Sequence, residues 1–596
     1  MNDLMNFYDL YILLFSYLMW HLFLPVEDAS GRYTSMFYWG NNYWTGSAEL
    51  CDILNEQHSP IKQPSCKLRE FQNFSLIFIL YHSQQRTLHL GVCLPRSCSR
   101  SAVSALIGGA RAPLLSHNVV AVRSPQHGGY TYLGDPTFRV LLRKITPSDL
   151  TNEKFLVDVL NCYCEFTGIW SELLLSFSMK ANVLQIFDQS VGADTVPVVH
   201  GLRTLSMTWV IFGHTCIVVF KYADNTALRA ILEKSFWFQL IISAVYSVDT
   251  FFFTFLYFRT KTKGKLDLLV EGRRKITSGV LQFLGLIGYR FARLTAPYLF
   301  ILGVVEVTMK WFAYNAVFEP PAMDHETCPK YWWRNLLYIN TLFPVEQMCM
   351  LWSWYLSDDT QFYAVSAILL ILATSHFKVS AALTGVLFIS SLFTTGYVSW
   401  SNDHIPNSED PFTQFDKVYE KPWTRLGPYL VGMLTGWILF KTNLKIRMSR
   451  VTVGWVVCTA TLLFLIFGLY KTELGVLSAA VYSALSHSLW AACIGWIIIA
   501  CSTGHGGWVR PLLSAPVLYP FSRVTYCAYL VHPVVLRYVA MHLTHPIHMG
   551  ELLVFILFLG LTFISYVLAF VVSVAFEAPM VTMLKIVSPQ RKAHRV

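Results

Sequence analysis

Three ionisable side chains stand inside otherwise apolar stretches of this chain: His214, Asp249 and His532. An imidazole takes and returns protons near neutrality, and a carboxylate beside it holds its tautomer and raises its basicity, which is the chemistry of a general base. His214 lies eleven residues beyond Arg203, roughly 16 Å along a helix and about 20° around it. Asp249 precedes Arg259 by ten residues, about 15 Å in the opposite direction. His532 follows Arg523 by nine, roughly 14 Å. All three therefore reach a similar depth, with Asp249 expected to orient His214. The plainer alternative is a set of polar residues satisfied by helix–helix hydrogen bonds, but ionisable groups buried in a membrane more often mark a working site.

Two further groups carry charge. Tyr289-Arg290-Phe291-Ala292-Arg293 sets two guanidinium groups three residues apart, on one helical face at the expected cytosolic boundary. Arginine forks bind phosphate bidentately, which suits a phosphate-bearing donor such as an acyl-CoA; snorkelling to lipid headgroups is the alternative. Trp352 to Tyr363 mixes interfacial aromatics with an acidic pair, Asp358 and Asp359, that such a belt does not require.

These residues sit in a chain of 596, of which 54% are hydrophobic and 14% charged. The mean hydropathy of +0.44 places most of it in lipid. Apolar runs predict ten spans, near 203–221, 236–258, 294–312, 361–377, 378–398, 424–440, 451–470, 477–501, 515–540 and 551–576. Residues 276–293 form an eleventh, shorter run, read as a further span or an interfacial helix. The net charge of +10 is spread over short basic runs at 259–275, 441–450 and 585–595. With a cytosolic start at Arg203, the positive-inside rule and the span count put all three in the cytosol. A nucleic-acid partner is not implied.

Residues 1–25 contain a leader-like apolar run, read as a signal peptide or signal anchor, although no basic residue precedes it. Residues 26–165 are mixed in character and hold six of the thirteen cysteines: Cys51, Cys66, Cys93, Cys98, Cys162 and Cys164. An even number in a polar segment behind a leader predicts a disulfide-linked domain in an oxidising compartment. Cys93 and Cys98 have metal-like spacing but no matching histidine pair, so no metal is expected. The sequon at Asn73 agrees with a lumenal or extracellular location. Cys328 and Cys349 share one outer loop and can pair there. The fold class expected is an all-α polytopic bundle of about ten transmembrane helices behind a small disulfide-linked domain. Parity requires one more crossing before Arg203, and its one source is 155–180, which carries Asp158, Glu165 and Glu172. Residues 166–199 are accordingly read as a degraded span or linker, 200–580 as the membrane domain and 581–596 as a basic cytosolic tail.

Several stretches resemble the nose-resistant-to-fluoxetine family, which joins a cysteine-containing N-terminal domain to a membrane domain of the acyltransferase family 3 type. They are HGLRTLSMTWVIFGHT from His200, SVDTFFF at 247–253, YRFARLTAPY at 289–298, WSWYLSDDTQFY at 352–363, KPWTRLGPYLVGMLTG at 421–436 and SRVTYCAYLVHP at 522–533. DASGRYTSMFYWGNNYWTGSAELC at 28–51 and LGVCLPRSCS at 90–99 are similar to landmarks of the outer domain. The resemblance spans roughly 28–580. It implies a membrane-bound acyltransferase of the secretory pathway, in the endoplasmic reticulum or plasma membrane. That enzyme would move an acyl group from a cytosolic donor of the acyl-CoA type, a co-substrate and not a bound cofactor, to a lipid, sterol or glycan acceptor. His214 then matches the family's base, with Asp249 beside it in the catalytic set; Arg290 and Arg293 match the donor-engaging pair, Arg203 the arginine that opens the first span, and Asp359 a glutamate of bacterial relatives. His532 joins this substrate- and donor-binding set. A carrier for lipids or drugs, using the same residues without catalysis, is the second reading; a ligand-binding scaffold is the third. The family's Leu-Ser-Gly after VDTFFF is replaced by Thr254-Phe255-Leu256, which removes a close-packing glycine. Compared with the family, the outer domain begins late, and the span expected before His200 is missing or degraded.

Overall fold

The computed structural model describes residues 36, 39–47, 51, 74–83, 86–95, 100–109, 118–123, 130–145, 172–173, 175–190, 196–253, 275–406, 415–441, 446–472 and 474–587. The leader, Asn73, Cys66, Cys98, Cys162, Cys164, residues 155–171 and Thr254-Phe255-Leu256 lie outside them.

The outer domain is built on a four-stranded sheet of order β1-β3-β2-β4. Strands β2 (Phe74–Ser83) and β3 (Arg86–Pro95) form an antiparallel hairpin. Strand β4 (Asn118–Arg123) pairs antiparallel with β2, and the short β1 (Tyr43–Trp44) runs parallel to β3. Cys51 is bonded to Cys93, which pins the segment after β1 to the sheet. A disulfide here is consistent with a lumenal or extracellular face. The end of the molecule that carries the disulfides is called outer below.

The GNNYWTG segment clamps this domain to the bundle. The carbonyl of Trp39 accepts from Ala227 N (2.9 Å), and Thr45 Oγ1 donates to the carbonyl of Thr544 (2.9 Å). The Tyr43 ring meets Phe318 edge-on at 5.1 Å. Gly40 has φ +88°, and a Cβ there would stand 2.4 Å from Thr226 Oγ1, so this contact needs glycine twice over. Helix α1 (Pro136–Ile145) then lies along a membrane helix: Leu141 packs on Gly303, Thr137 Oγ1 donates to Glu306, and Asp135 pairs with Lys310 at 3.0 Å. Burial pushes the Asp135 carboxyl up, but hydrogen bonds from Lys310, Phe138 N and Tyr130 outweigh it and hold the group below its ordinary value. Helix α2 (Met179–Phe187) touches Val574 and Thr582, near the opposite end of the bundle.

Eight helices among the described residues are long and apolar enough to cross a membrane. They are α3 (Val198–Tyr222), α4 (Phe236–Phe253), Gly279–Asn315 within α5 (Lys275–Asn315), Leu351–Ser375 around α6 (Trp354–Ser375), α7 (Phe377–Ser401), α9 (Met448–Phe467), α10 (Val476–Ser502) and the run Glu551–Ile586 that begins with α12 (Glu551–Val572). Helices also stand at the other two expected places, α8 (Pro422–Lys441) and α11 (Thr525–Met541), but neither reaches that length and hydropathy. Both carry charge in their interior, Arg425 in one and Arg537 in the other.

Three expected boundaries are corrected. Residues 276–293 are neither a separate span nor an interfacial helix, because α5 runs unbroken from Lys275 to Asn315. Its 41 residues extend about 60 Å, twice the hydrocarbon core. The fourth span starts at Trp354, seven residues earlier than the apolar run suggested, so Asp358 and Asp359 are 0% and 2% exposed inside the bundle and not part of an interfacial belt. The ninth is split into Leu518–Arg523 and Thr525–Met541.

Gly432 of α8 faces the backbone of Phe253, whose carbonyl oxygen would lie 2.5 Å from an added Cβ. Close packing at the end of SVDTFFF thus comes from the partner helix. Gly432→Ala is expected to destabilise the bundle by about 1–3 kcal/mol through overpacking, read as a lower thermal midpoint in detergent. An unchanged midpoint would mean that the helices separate freely there.

Candidate active site

The sequence is apolar around each ionisable residue, so each helix is held in the bundle by its apolar faces while the polar group is carried inward. His214 on α3 and His532 on α11 meet there: His214 Nδ1 lies 2.8 Å from His532 Nε2, with the rings 4° from parallel. His532 is 0% exposed, whereas His214 is partly exposed. Pro533 has no N–H, which frees the carbonyl of Tyr529 one turn back. The Ala528 carbonyl lies 3.1 Å from His532 Nδ1 and hydrogen-bonds the ring.

Asp249 does not join them. It is 0% exposed and accepts from Arg425 Nη1 at 3.2 and 3.4 Å, while His487 Nδ1 stands at 2.7 Å. Arg425, 1% exposed, donates from Nε to the Tyr419 carbonyl and stacks on the Tyr419 ring at 4.3 Å. An equal depth along two helices was expected from spacing; the direction each side chain faces was not legible there. A fully buried carboxylate is stable only when paired, and the nearest cation came from a distant helix.

Arg290 and Arg293 also separate. Arg290 is 4% exposed, ion-paired with Asp359 and lying 4.4 Å over the Tyr363 ring. Arg293, with 37% of its side chain exposed, pairs with Glu577 at 3.2 Å. Pro297, inside α5, leaves the Arg293 carbonyl without its helical donor, and the Tyr526 hydroxyl donates to the adjoining carbonyl of Leu294 at 2.7 Å. A turn of π-helix at Ser573–Glu577 sets Glu577 toward Arg293, with Ser573 Oγ and Cys527 Sγ on its other oxygen. Arg203 completes the group, within the fields of Arg293, Glu577 and Asp359, and its Nε has no partner. Three guanidinium groups face two carboxylates. One positive charge is left over, about 16 Å along α3 from His214.

Glu577, Arg425 and His487 were not singled out from the sequence. His487 stands in an apolar run as His214 does and meets the same criterion; Glu577 closes the last apolar run and reads as its boundary. On the outer side, Cys328 is bonded to Cys349, and Asp324 beside them accepts from Met350 N and pairs with Arg537. These three could pass for a metal trio, but the sulfurs are bonded to one another and the carboxylate is committed to arginine, so the donor set is spent.

The comparisons with known proteins agree with this architecture. Residues 197–577 match the family described as "Acyltransferase domain", and residues 20–107 match "Nose resistant-to-fluoxetine protein, N-terminal domain". Nose resistant to fluoxetine protein 6 of Caenorhabditis elegans is 30% identical over 94% of this chain and 78% of its own length. Regulator of hypoxia-inducible factor 1, also of Caenorhabditis elegans, is 27% identical over 39% of this chain and 50% of its own. No solved structure matches the chain. An outer domain with a bonded cysteine pair, clamped to a helical bundle that the acyltransferase family covers from first helix to π-turn, makes this chain a member of the nose-resistant-to-fluoxetine family.

Proposed function

We propose that the chain transfers an acyl group from a cytosolic thioester donor of the acyl-CoA type to a hydroxyl of a lipid, sterol or glycan acceptor, with His214 as the general base. The observation that carries this reading is the partly exposed His214, set against a sealed second histidine, with a surplus guanidinium charge about 16 Å along the same helix. The acceptor hydroxyl gives its proton to His214, its oxygen attacks the thioester carbonyl, and the C–S bond breaks. The leaving thiolate then takes the proton from His214. Arg203 and Arg293 are the guanidinium groups placed to hold a donor phosphate, because Arg290 is buried against Asp359. From Arg203 to His214 is about 16 Å along the helix, so a donor anchored by phosphate needs an extended arm between phosphate and thioester.

The test uses purified full-length protein in lipid vesicles with radiolabelled acyl-CoA and candidate acceptors. Wild type is expected to form labelled product. Arg293→Ala is expected to raise the donor KM by roughly tenfold with kcat little changed, the signature of lost ground-state binding. No product from wild type, together with uptake of labelled lipid or drug that depends on His214, would reject the transferase in favour of a carrier.

A further inference from the structure

The contact between His214 and His532 has a chemical direction. A backbone carbonyl only accepts hydrogen bonds, so the Ala528 carbonyl, 3.1 Å from His532 Nδ1, requires the hydrogen on that nitrogen. In a neutral ring, Nε2 of His532 is then a bare lone pair. That lone pair faces His214 Nδ1 at 2.8 Å. Two lone pairs cannot share a hydrogen bond, so His214 must carry its own hydrogen on Nδ1 and donate it. Nε2 of His214 is left bare. No group among the described residues bonds it, and His214 is the less buried residue of the two.

We propose that the Ala528 carbonyl, His532 and His214 form a tautomer relay, in which His532 is a positioning residue that holds Nε2 of His214 bare and aimed at the acceptor hydroxyl. This inference rests on the acyl-transfer reading. When Nε2 takes the acceptor proton, His214 becomes an imidazolium, and its Nδ1–H bond to His532 strengthens. The charge disappears when the leaving thiolate takes the proton back. His532 thus fills the place that a carboxylate holds in other base-orienting arrangements. A neutral acceptor suits a site inside a membrane, because the resting pair carries no charge that must be stripped of water. The one carboxylate expected for this task, Asp249, is neutralised by Arg425 on other helices.

Two substitutions at one position separate the relay from simple packing. His532→Gln keeps an acceptor close to the place of Nε2, whereas His532→Leu keeps bulk and removes the acceptor. In full-length protein in lipid, His532→Leu is expected to lower kcat by about 10²–10³-fold with donor KM within about threefold of wild type. His532→Gln is expected to keep at least about a tenth of kcat, since the accepting atom survives. Nitrogen-15 spectra of histidine-labelled protein, assigned against His214→Ala, give a readout that needs no turnover. They should show His214 protonated on Nδ1 and bare on Nε2 in wild type, and a tautomer mixture in His532→Leu. Equal kcat for the Gln and Leu variants, or a wild-type His214 protonated on Nε2, would overturn the relay. If wild type transfers no acyl group, the acyl-transfer reading fails, while the nitrogen spectra still decide the tautomer.

Discussion

Replacing His214 by Ala should cost about 10²–10⁴-fold in kcat for acyl transfer, the range that a positioned general base contributes. The donor should bind nearly as before, because the groups proposed to hold its phosphate, Arg203 and Arg293, make no bond to His214. The expected signature is therefore a fall in kcat and in kcat/KM together, at constant donor KM. Steady-state assays in lipid vesicles read both quantities. His214→Asn serves as a second variant that keeps polarity without a base of useful strength. A loss confined to KM, or activity within about threefold of wild type, would remove His214 from the chemistry and leave it a packing residue.

The second large effect concerns stability and not turnover. Arg425→Met strips the Asp249 carboxylate, 0% exposed, of its cation and leaves His487 as its remaining bonded neighbour. Breaking one side of a buried pair costs about 3–5 kcal/mol, whereas removing both sides is far milder. Arg425→Met should thus lower the thermal midpoint in detergent sharply, and adding Asp249→Asn should restore most of the loss. Asp249→Asn alone, assayed in lipid where the protein still folds, should keep kcat within a few-fold of wild type, because the carboxylate does not touch His214. If Asp249→Asn matched His214→Ala in kcat while melting normally, Asp249 would belong to the base after all. If Arg425→Met melted like wild type, the pair would have no structural role.

These two experiments divide along the line between what could and could not be seen in one dimension. Runs of about 20 apolar residues are needed to cross lipid, so most of the spans were visible. The boundary at Trp354 was hidden, because charge in a helix normally ends a span. Here Asp359 is tolerated because Arg290 neutralises it from another helix.

The same contrast applies to the ionisable residues themselves. From residue types and spacing alone, the chain announced a helical membrane bundle, an oxidised outer domain and a histidine-centred interior. Those features follow from local composition and from the rise of a helix, which hold wherever the helix is placed. Partners were decided by the tertiary structure: His214 with His532, Asp249 with Arg425 and His487, Arg290 with Asp359, and Arg293 with Glu577. Each of these contacts joins residues at least 69 positions apart. Which faces of two helices meet is set by packing over their whole length, and no spacing within either helix records it.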